Sequence, residues 1–466
     1  MGGLFGVVCT NSDCVKDLFY GTDYHSHLGT RRGGLAVKNA GGFQRFIKDI
    51  TTSQFRSKFD KDIKKLHGNK GIGVISDYDD QPLIISSRLG VFAICTVGRI
   101  NNLKELANEA LKNGTHFSEM HGGEINPTEM IATILSQESS FEEGIRKVQD
   151  MIDGSCTLLI LTDDGIFAAR DKFGRTPLII GKKNGSYAAA METCSFPNLG
   201  YKITKYLGPG ELVYINNNGI EQLIKPNDRL QICSFLWVYY GYPASNYEGI
   251  NVEVVRHRCG SYLAKNDNIE VDLVAGIPDS GTAHGLGYAN EAKIPFSRPF
   301  VKYTPTWPRS FMPQDQSIRD IVAKMKLIPV EEEIKNKRLL FCEDSIVRGT
   351  QLRKTIQRLY EYGAKEVHMR PACPPLVYGC KFLNFSRSRS ELDLAGRWAI
   401  KELIGKDVGN PKDYTNPESD NYKAMVDIIC KRLGLTTLKY QKLENLVKAI
   451  GLPKEKLCTY CWDGKE

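Results

Sequence analysis

Residues 338–359 read RLLFCEDSIVRGTQLRKTIQRL. An apolar run ends in two adjacent carboxylates, Glu343 and Asp344. A turn of small and polar residues follows, with Ser345, Gly349 and Thr350. TQLRKTIQRL then has the pattern of a helix. Strand, turn and helix in that order form the unit of a parallel α/β sheet, whose ligands bind outside the carboxyl ends of the strands. Backbone N–H groups in a turn entering a helix suit a phosphate. Paired carboxylates at a strand end suit ribose hydroxyls, or Mg²⁺ bridging to a phosphate. Taken alone, the same residues also serve an ordinary turn with a capping Ser or Thr.

A second stretch of this kind lies upstream. VDLVAGIPDSGTAHGLGYA, residues 271–289, is a strand, a small-residue turn with Asp279, Ser280, Gly281 and Thr282, and a helix. Two donor-rich turns at like positions in one sheet favour one phosphate-rich ligand. EVVRHRCGSYLAKN at 253–266 reads as a helix, and EVHMRPAC at 366–373 as the next strand. Residues 1–225 have another texture. LGVFAICTVG, SCTLLILTDDGIFAARD, PLIIGKKNGSYAAAM and GELVYINNNGIEQLIK are apolar or alternating runs punctuated by DG and NG turn signals. NLKELANEALKNG and PTEMIATILSQ are helical patterns between them. The boundary is expected near 226–233, which divides the chain into 1–228 and 229–466.

At 466 residues and 41% hydrophobic composition, the chain can bury two or three cores. No apolar run reaches the ~18–20 residues that span a bilayer, and no signal-peptide pattern opens the chain, so a cytoplasmic setting without a membrane partner is expected. The net charge of +8 is scattered among acids, which argues against a nucleic-acid footprint and is compatible with a basic pocket for an anionic metabolite. Thirteen cysteines are many for a reducing compartment. Cys95, Cys342 and Cys430 read as core residues. Cys458 and Cys461 form a CxxC clamp, for which zinc, redox chemistry or chance would each serve.

EDSIVRGTQ resembles the phosphoribosylpyrophosphate loop of type I phosphoribosyltransferases. GIPDSGTAHGLGYA, MKLIPV, RPACPP, ARDKFGRTPLIIG, METC, GPGELVYI and YQKLENLVKAIGLPKEKLCTYCWDGK narrow the resemblance to the glutamine phosphoribosylpyrophosphate amidotransferase family, almost end to end. It implies an N-terminal αββα Ntn-hydrolase-like (class II glutamine amidotransferase) domain and a C-terminal type I phosphoribosyltransferase α/β domain. It implies the purine-pathway synthesis of phosphoribosylamine from phosphoribosylpyrophosphate. It puts Mg²⁺ and ribose on Ser280, Glu343 and Asp344, and pyrophosphate on Asp279, Ser280, Gly281 and Thr282. The 5′-phosphate falls on Ser345 through Val347, Arg348 and Gly349 to Thr350. Lys302 begins a closing loop that includes Arg309. Position 343 is usually Asp in the family, and KYTPTWPRSF is longer than the usual loop.

The resemblance also implies a [4Fe–4S] cluster on Cys233, Cys380, Cys458 and Cys461, with Cys373 as the substitute for Cys380 and zinc as the alternative occupant. A homo-oligomer and purine nucleotide inhibitors come with the family.

Against it stands the chain's start, MGGLFGVVC. The family's N-terminal Cys nucleophile, whose α-amine acts as base, is replaced by Gly2. The glutamine-gripping Arg is Ser76. The Asn-Gly of the oxyanion hole is Val97-Gly98, and the amine-binding Asp is Pro127. HRGQESAG has become HLGTRRGG at 27–34. Cys9 and Cys14 lack a neighbouring free amine. The expectation is a transferase fed by free or donated ammonia behind a domain without glutaminase chemistry. Two rivals are a regulatory paralogue, favoured by Leu236, Tyr242 and Ala244 where the family carries acidic and Arg residues, and a transferase with another acceptor.

Overall fold

Alternation along the first strand sets the layers of the N-terminal half. In Gly3–Val8, Leu4 and Val8 join a cluster with Ala93, Cys95, Leu159 and Ile166. Phe5 and Val7 point the other way, onto Leu18, Phe19 and Phe55. Side chains alternate across a strand, so one hexapeptide buried on both faces lies inside a layered domain. The computed structural model describes all residues except 1, 11–12, 78, 119, 122, 266, 304–325 and 385–390.

The first strand is central in a seven-stranded sheet. It pairs antiparallel with Lys70–Ser76 on one side and Ser186–Ala190 on the other. A six-stranded antiparallel sheet, in which Gly90–Ile100 and Gly154–Leu161 are neighbours, packs against it. Helix Val15–Asp23 covers the outer face of the first sheet. Helices Leu103–Lys112, Pro127–Ser136 and Phe141–Met151 cover the second. The order of layers is therefore α, β, β, α. The second of these helices starts where its sequence dictates. Pro127 occupies the first turn, and the Asn126 side chain accepts from Thr128 N at 2.9 Å. Asn126→Ala is expected to lower stability by ~1 kcal/mol, read as a lower urea midpoint at unchanged slope.

The C-terminal half is built on a parallel sheet. Leu273–Gly276, Arg338–Glu343, Glu366–Pro371 and Thr437–Leu438 lie side by side in that order. Helices Val252–Lys265 and Thr282–Ala292 pack beside its first strand, and Thr350–Glu361 follows the second. The chain closes on itself at Ile232–Cys233, which pairs parallel with Leu457–Cys458. Cys95 and Cys342 are fully buried as expected. Cys430 is not a core residue: it lies partly exposed on helix Asp420–Leu433, because its position falls at the edge of that helix's apolar stripe. Among the described residues, no helix is long and apolar enough to cross a membrane.

Candidate functional site

The two small-residue turns meet at one end of the parallel sheet. Gly276 is in register with Cys342, so both strands deliver their turns at the same level. The first turn folds back on itself: Gly281 N donates to Ile277 O at 2.9 Å, and Ile277 N to Cys342 O at 3.0 Å. A Cβ on Gly281 would lie 2.3 Å from Cys342 O, so the turn approaches the acid strand this closely only with glycine there. Ser280 Oγ donates to Glu343 Oε1 at 3.2 Å, which ties the turn to the first carboxylate. Asp344 N donates to the same oxygen at 3.1 Å, and Ser345 Oγ donates to Asp344 Oδ2 at 2.6 Å. Both carboxylates are buried. Burial, then the neighbouring Asp344 charge, pushes the Glu343 carboxyl well up. A buried acid pair of this kind suits a cation and hydroxyl donors.

Gly349 has φ 77° and caps helix Thr350–Glu361, a backbone turn that glycine adopts without strain. The loop before it is pinned from outside: Ala395 N donates to Val347 O at 2.6 Å, and Arg348 pairs with Asp393 at 3.2 Å. Lys302 forms an ion pair with Asp279. Arg309 lies outside the described residues. The fold adds two neighbours that sequence reading missed. Arg256 is buried and donates to Trp237 O, Tyr239 O and Gly241 O at 2.9–3.0 Å. Burial lowers its pKa, and Asp344 counters that. His284, two residues past the first turn's Thr282, is held at a pKa of about 3 by burial and by Arg256.

The cysteines occupy the seam between the two halves. Cys233 and Cys458 are register partners in the parallel pair. Burial, followed by Cys380, Cys233 and Cys458, drives the Cys461 thiol well up, so the four sulfurs share one region. Cys373 is a weaker neighbour of Cys461. Among the described residues, no three His, Cys, Asp or Glu side chains close on a common metal position. The donor set nonetheless fits a thiolate-ligated centre. Ser234 Oγ and Arg175 Nε are buried beside these cysteines without a hydrogen-bond partner among the described residues.

The positions around the chain's start are filled. A Cβ on Gly2 would meet Ile75 O at 2.6 Å and Val97 Cγ2 at 3.1 Å. Ser76 Oγ accepts from Asp79 N at 3.2 Å. Its register partner Arg32 is ion-paired with Asp49 and Asp80 at 2.6 and 2.7 Å. Gly98 O accepts from Asn384 Nδ2 at 3.2 Å. Pro127 starts a helix. His27 bonds Glu192 Oε1 at 3.0 Å. Glu192, in METC, is fully buried and also accepts from Tyr247 Oη at 2.7 Å and from Ser245 Oγ. Its N–H donates to His25 Nε2 at 3.1 Å, so His25 Nδ1 carries the proton and donates to Gly21 O. Burial, opposed only in part by Glu192, holds His25 neutral, at a pKa of about 4. METC thus holds a hydrogen-bond hub between the two halves, through Glu192.

An αββα Ntn-hydrolase-type domain is thus joined to a type I phosphoribosyltransferase domain in one chain. Residues 69–197 match the glutamine amidotransferase domain family. The amidophosphoribosyltransferase of Methanocaldococcus jannaschii is 29% identical over 492 aligned residues, covering 100% of this chain and 97% of that protein. The chloroplastic amidophosphoribosyltransferase of Vigna aconitifolia is 34% identical, covering 70% of this chain and 67% of that protein. The solved structure of glutamine phosphoribosylpyrophosphate amidotransferase from Bacillus subtilis, complexed with ADP and GMP, superposes with a TM-score of 0.84 at 26% identity, covering 99% of this chain and 96% of that one. The chain belongs to the amidophosphoribosyltransferase family.

Proposed function

We propose that the chain makes 5-phosphoribosylamine from phosphoribosylpyrophosphate in purine biosynthesis, with ammonia as the nitrogen donor. The observation that carries this reading is the junction of the two turns on the acid pair, Ser280 Oγ to Glu343 Oε1 at 3.2 Å. In a member of this family, Asp279 to Thr282 would hold the pyrophosphate, and Ser345 to Thr350 the 5′-phosphate through the backbone N–H groups entering the helix. Glu343, Asp344 and Ser280 would hold Mg²⁺, which, when bound, supplies charge neutralisation for the leaving pyrophosphate. Lys302 adds a cation beside Asp279. The chain's own work is to orient the ribose, hold the departing charge and exclude water.

Gly2, Ser76, Val97 and Pro127 together support the absence of the glutaminase half-reaction. Position 2 carries no nucleophile and is closed in by Ile75 O and Val97. Cys233, Cys380, Cys458 and Cys461 would hold a [4Fe–4S] cluster that staples the end of the chain to the seam between halves 1–228 and 229–466. Such a cluster, when bound, would supply a cross-link, and no redox role is required of it. A homo-oligomer in the cytoplasm, inhibited by purine nucleotides, completes the proposal.

The test is pyrophosphate release by the anaerobically purified chain with Mg²⁺, phosphoribosylpyrophosphate and ammonium. Release matched by amine product is expected. Tight phosphoribosylpyrophosphate binding without release would overturn the enzyme reading in favour of a regulatory paralogue.

A further inference from the structure

The ARDKFGRTPL motif has no part in the transferase site, yet its loop reaches the seam between the halves. Its loop is rigid. Asp171 Oδ2 accepts from Phe173 N at 3.1 Å and from Arg175 N at 3.0 Å, while Asp171 Oδ1 accepts from Cys156 N at 3.1 Å. Arg170, fully buried, donates to Thr176 O and Gly174 O, both at 2.8 Å. The loop therefore presents Arg175 in one direction, across the seam between the halves.

Arg175 meets the cysteine region in two ways. Its Nη1 donates to Cys458 Sγ at 3.2 Å, and its carbonyl accepts from Cys233 N at 3.0 Å. Its guanidinium lies 3.2 Å from the centroid of the Phe382 ring, two residues past Cys380. Gln231 Oε1 accepts from Nη2 at 3.2 Å, which fixes the plane of the fork. The Cys380–Asn384 segment is itself held to the N-terminal half. Arg99 donates to Cys380 O, Ser155 Oγ to Phe382 O at 2.5 Å, and Asn384 Nδ2 to Gly98 O at 3.2 Å. A planar cation that donates to a thiolate stabilises its charge, and a buried fork is pre-organised to do so.

We infer that Arg175, from the glutaminase-like domain, is a positioning residue for the cysteine centre. Through it and the 380–384 contacts, that domain forms one wall of the centre. The inference rests on the cluster reading above. It gives the N-terminal domain a use that needs no glutamine: it shields and orients Cys458 and Cys233, on which the other half's chain end is anchored. A hydrogen bond to a cluster thiolate favours the reduced state, so its loss lowers the midpoint potential.

The test uses the full chain purified without oxygen, as wild type, Arg175→Met and Arg175→Lys. Iron and sulfide content, the visible and EPR signals, the midpoint potential and the rate of bleaching in air are read. Wild type is expected to load iron and sulfide. Arg175→Met should bleach roughly 10-fold faster at a lower potential, with Arg175→Lys between the two. Loaded variants that match wild type in both potential and bleaching rate would overturn the inference. If Arg175→Met does not fold, Arg175→Lys decides, because it keeps the charge and most of the stem. A wild-type chain without iron would overturn the cluster reading itself, an outcome separable from failure confined to the variants.

Discussion

An Asp344→Asn protein is expected to lose ammonium-dependent pyrophosphate release by at least ~100-fold while keeping its fold. Asp344 stands at the carboxyl end of the strand Arg338–Glu343, where both turns arrive. Its Oδ2 accepts from Ser345 Oγ at 2.6 Å, a bond that an Asn oxygen can also accept. What Asn cannot supply is the second negative charge. In the native protein two buried carboxylates sit side by side, and burial with the Asp344 charge pushes Glu343 well up. Removing that charge relieves the repulsion on Glu343 and also withdraws support from the buried Arg256, so stability should change little while catalysis falls. The measurement is kcat/KM for phosphoribosylpyrophosphate beside the thermal midpoint of the same sample. Activity within threefold of wild type would remove the acid pair from the site.

Gly2→Cys is expected to restore no glutaminase activity and to destabilise the chain by ~1–3 kcal/mol. The new Cβ would lie 2.6 Å from a backbone oxygen, Ile75 O, and 3.1 Å from the Val97 methyl. Strand Lys70–Ser76 is buried and paired on both edges, so it cannot yield cheaply. On the proposed reading, the partners of such a nucleophile are absent as well. Arg32 is engaged by Asp49 and Asp80, Val97 stands at the oxyanion Asn position, and Pro127 begins a helix. Ammonia release from glutamine and the denaturant midpoint of this variant check the two halves of the statement. Glutamine hydrolysis restored by this single change would show that the site is intact apart from its nucleophile.

How much of this was legible in the sequence depends on the range of the interactions involved. The turns at 279–282 and 345–350 could be read because their chemistry is local: strand, small donor-rich turn, helix. The layered N-terminal domain could be read from alternating apolar runs and turn dipeptides. Arg175 could not be assigned a partner, because Cys458 lies 283 residues away. Arg256 sits on a helix whose pattern gives no hint that it binds three carbonyls of the 237–241 segment beside Asp344. Glu192 could not be given a role from the sequence, because its partners Ser245 and Tyr247 belong to the other half. Spacing could not choose between Cys373 and Cys380 either. Cys380 lies where the 380–384 segment meets the N-terminal domain, whereas Cys373 follows a parallel strand into the core.

The central claim is a working transferase behind a domain that cannot use glutamine. Nitrogen tracing tests it most directly. The chain is given Mg²⁺, phosphoribosylpyrophosphate, unlabelled glutamine and ¹⁵N-ammonium together, and the amine product is trapped and weighed by mass. The account predicts product whose nitrogen is all ¹⁵N, with no glutamate formed. Product carrying unlabelled nitrogen, with glutamate appearing in step, would contradict it.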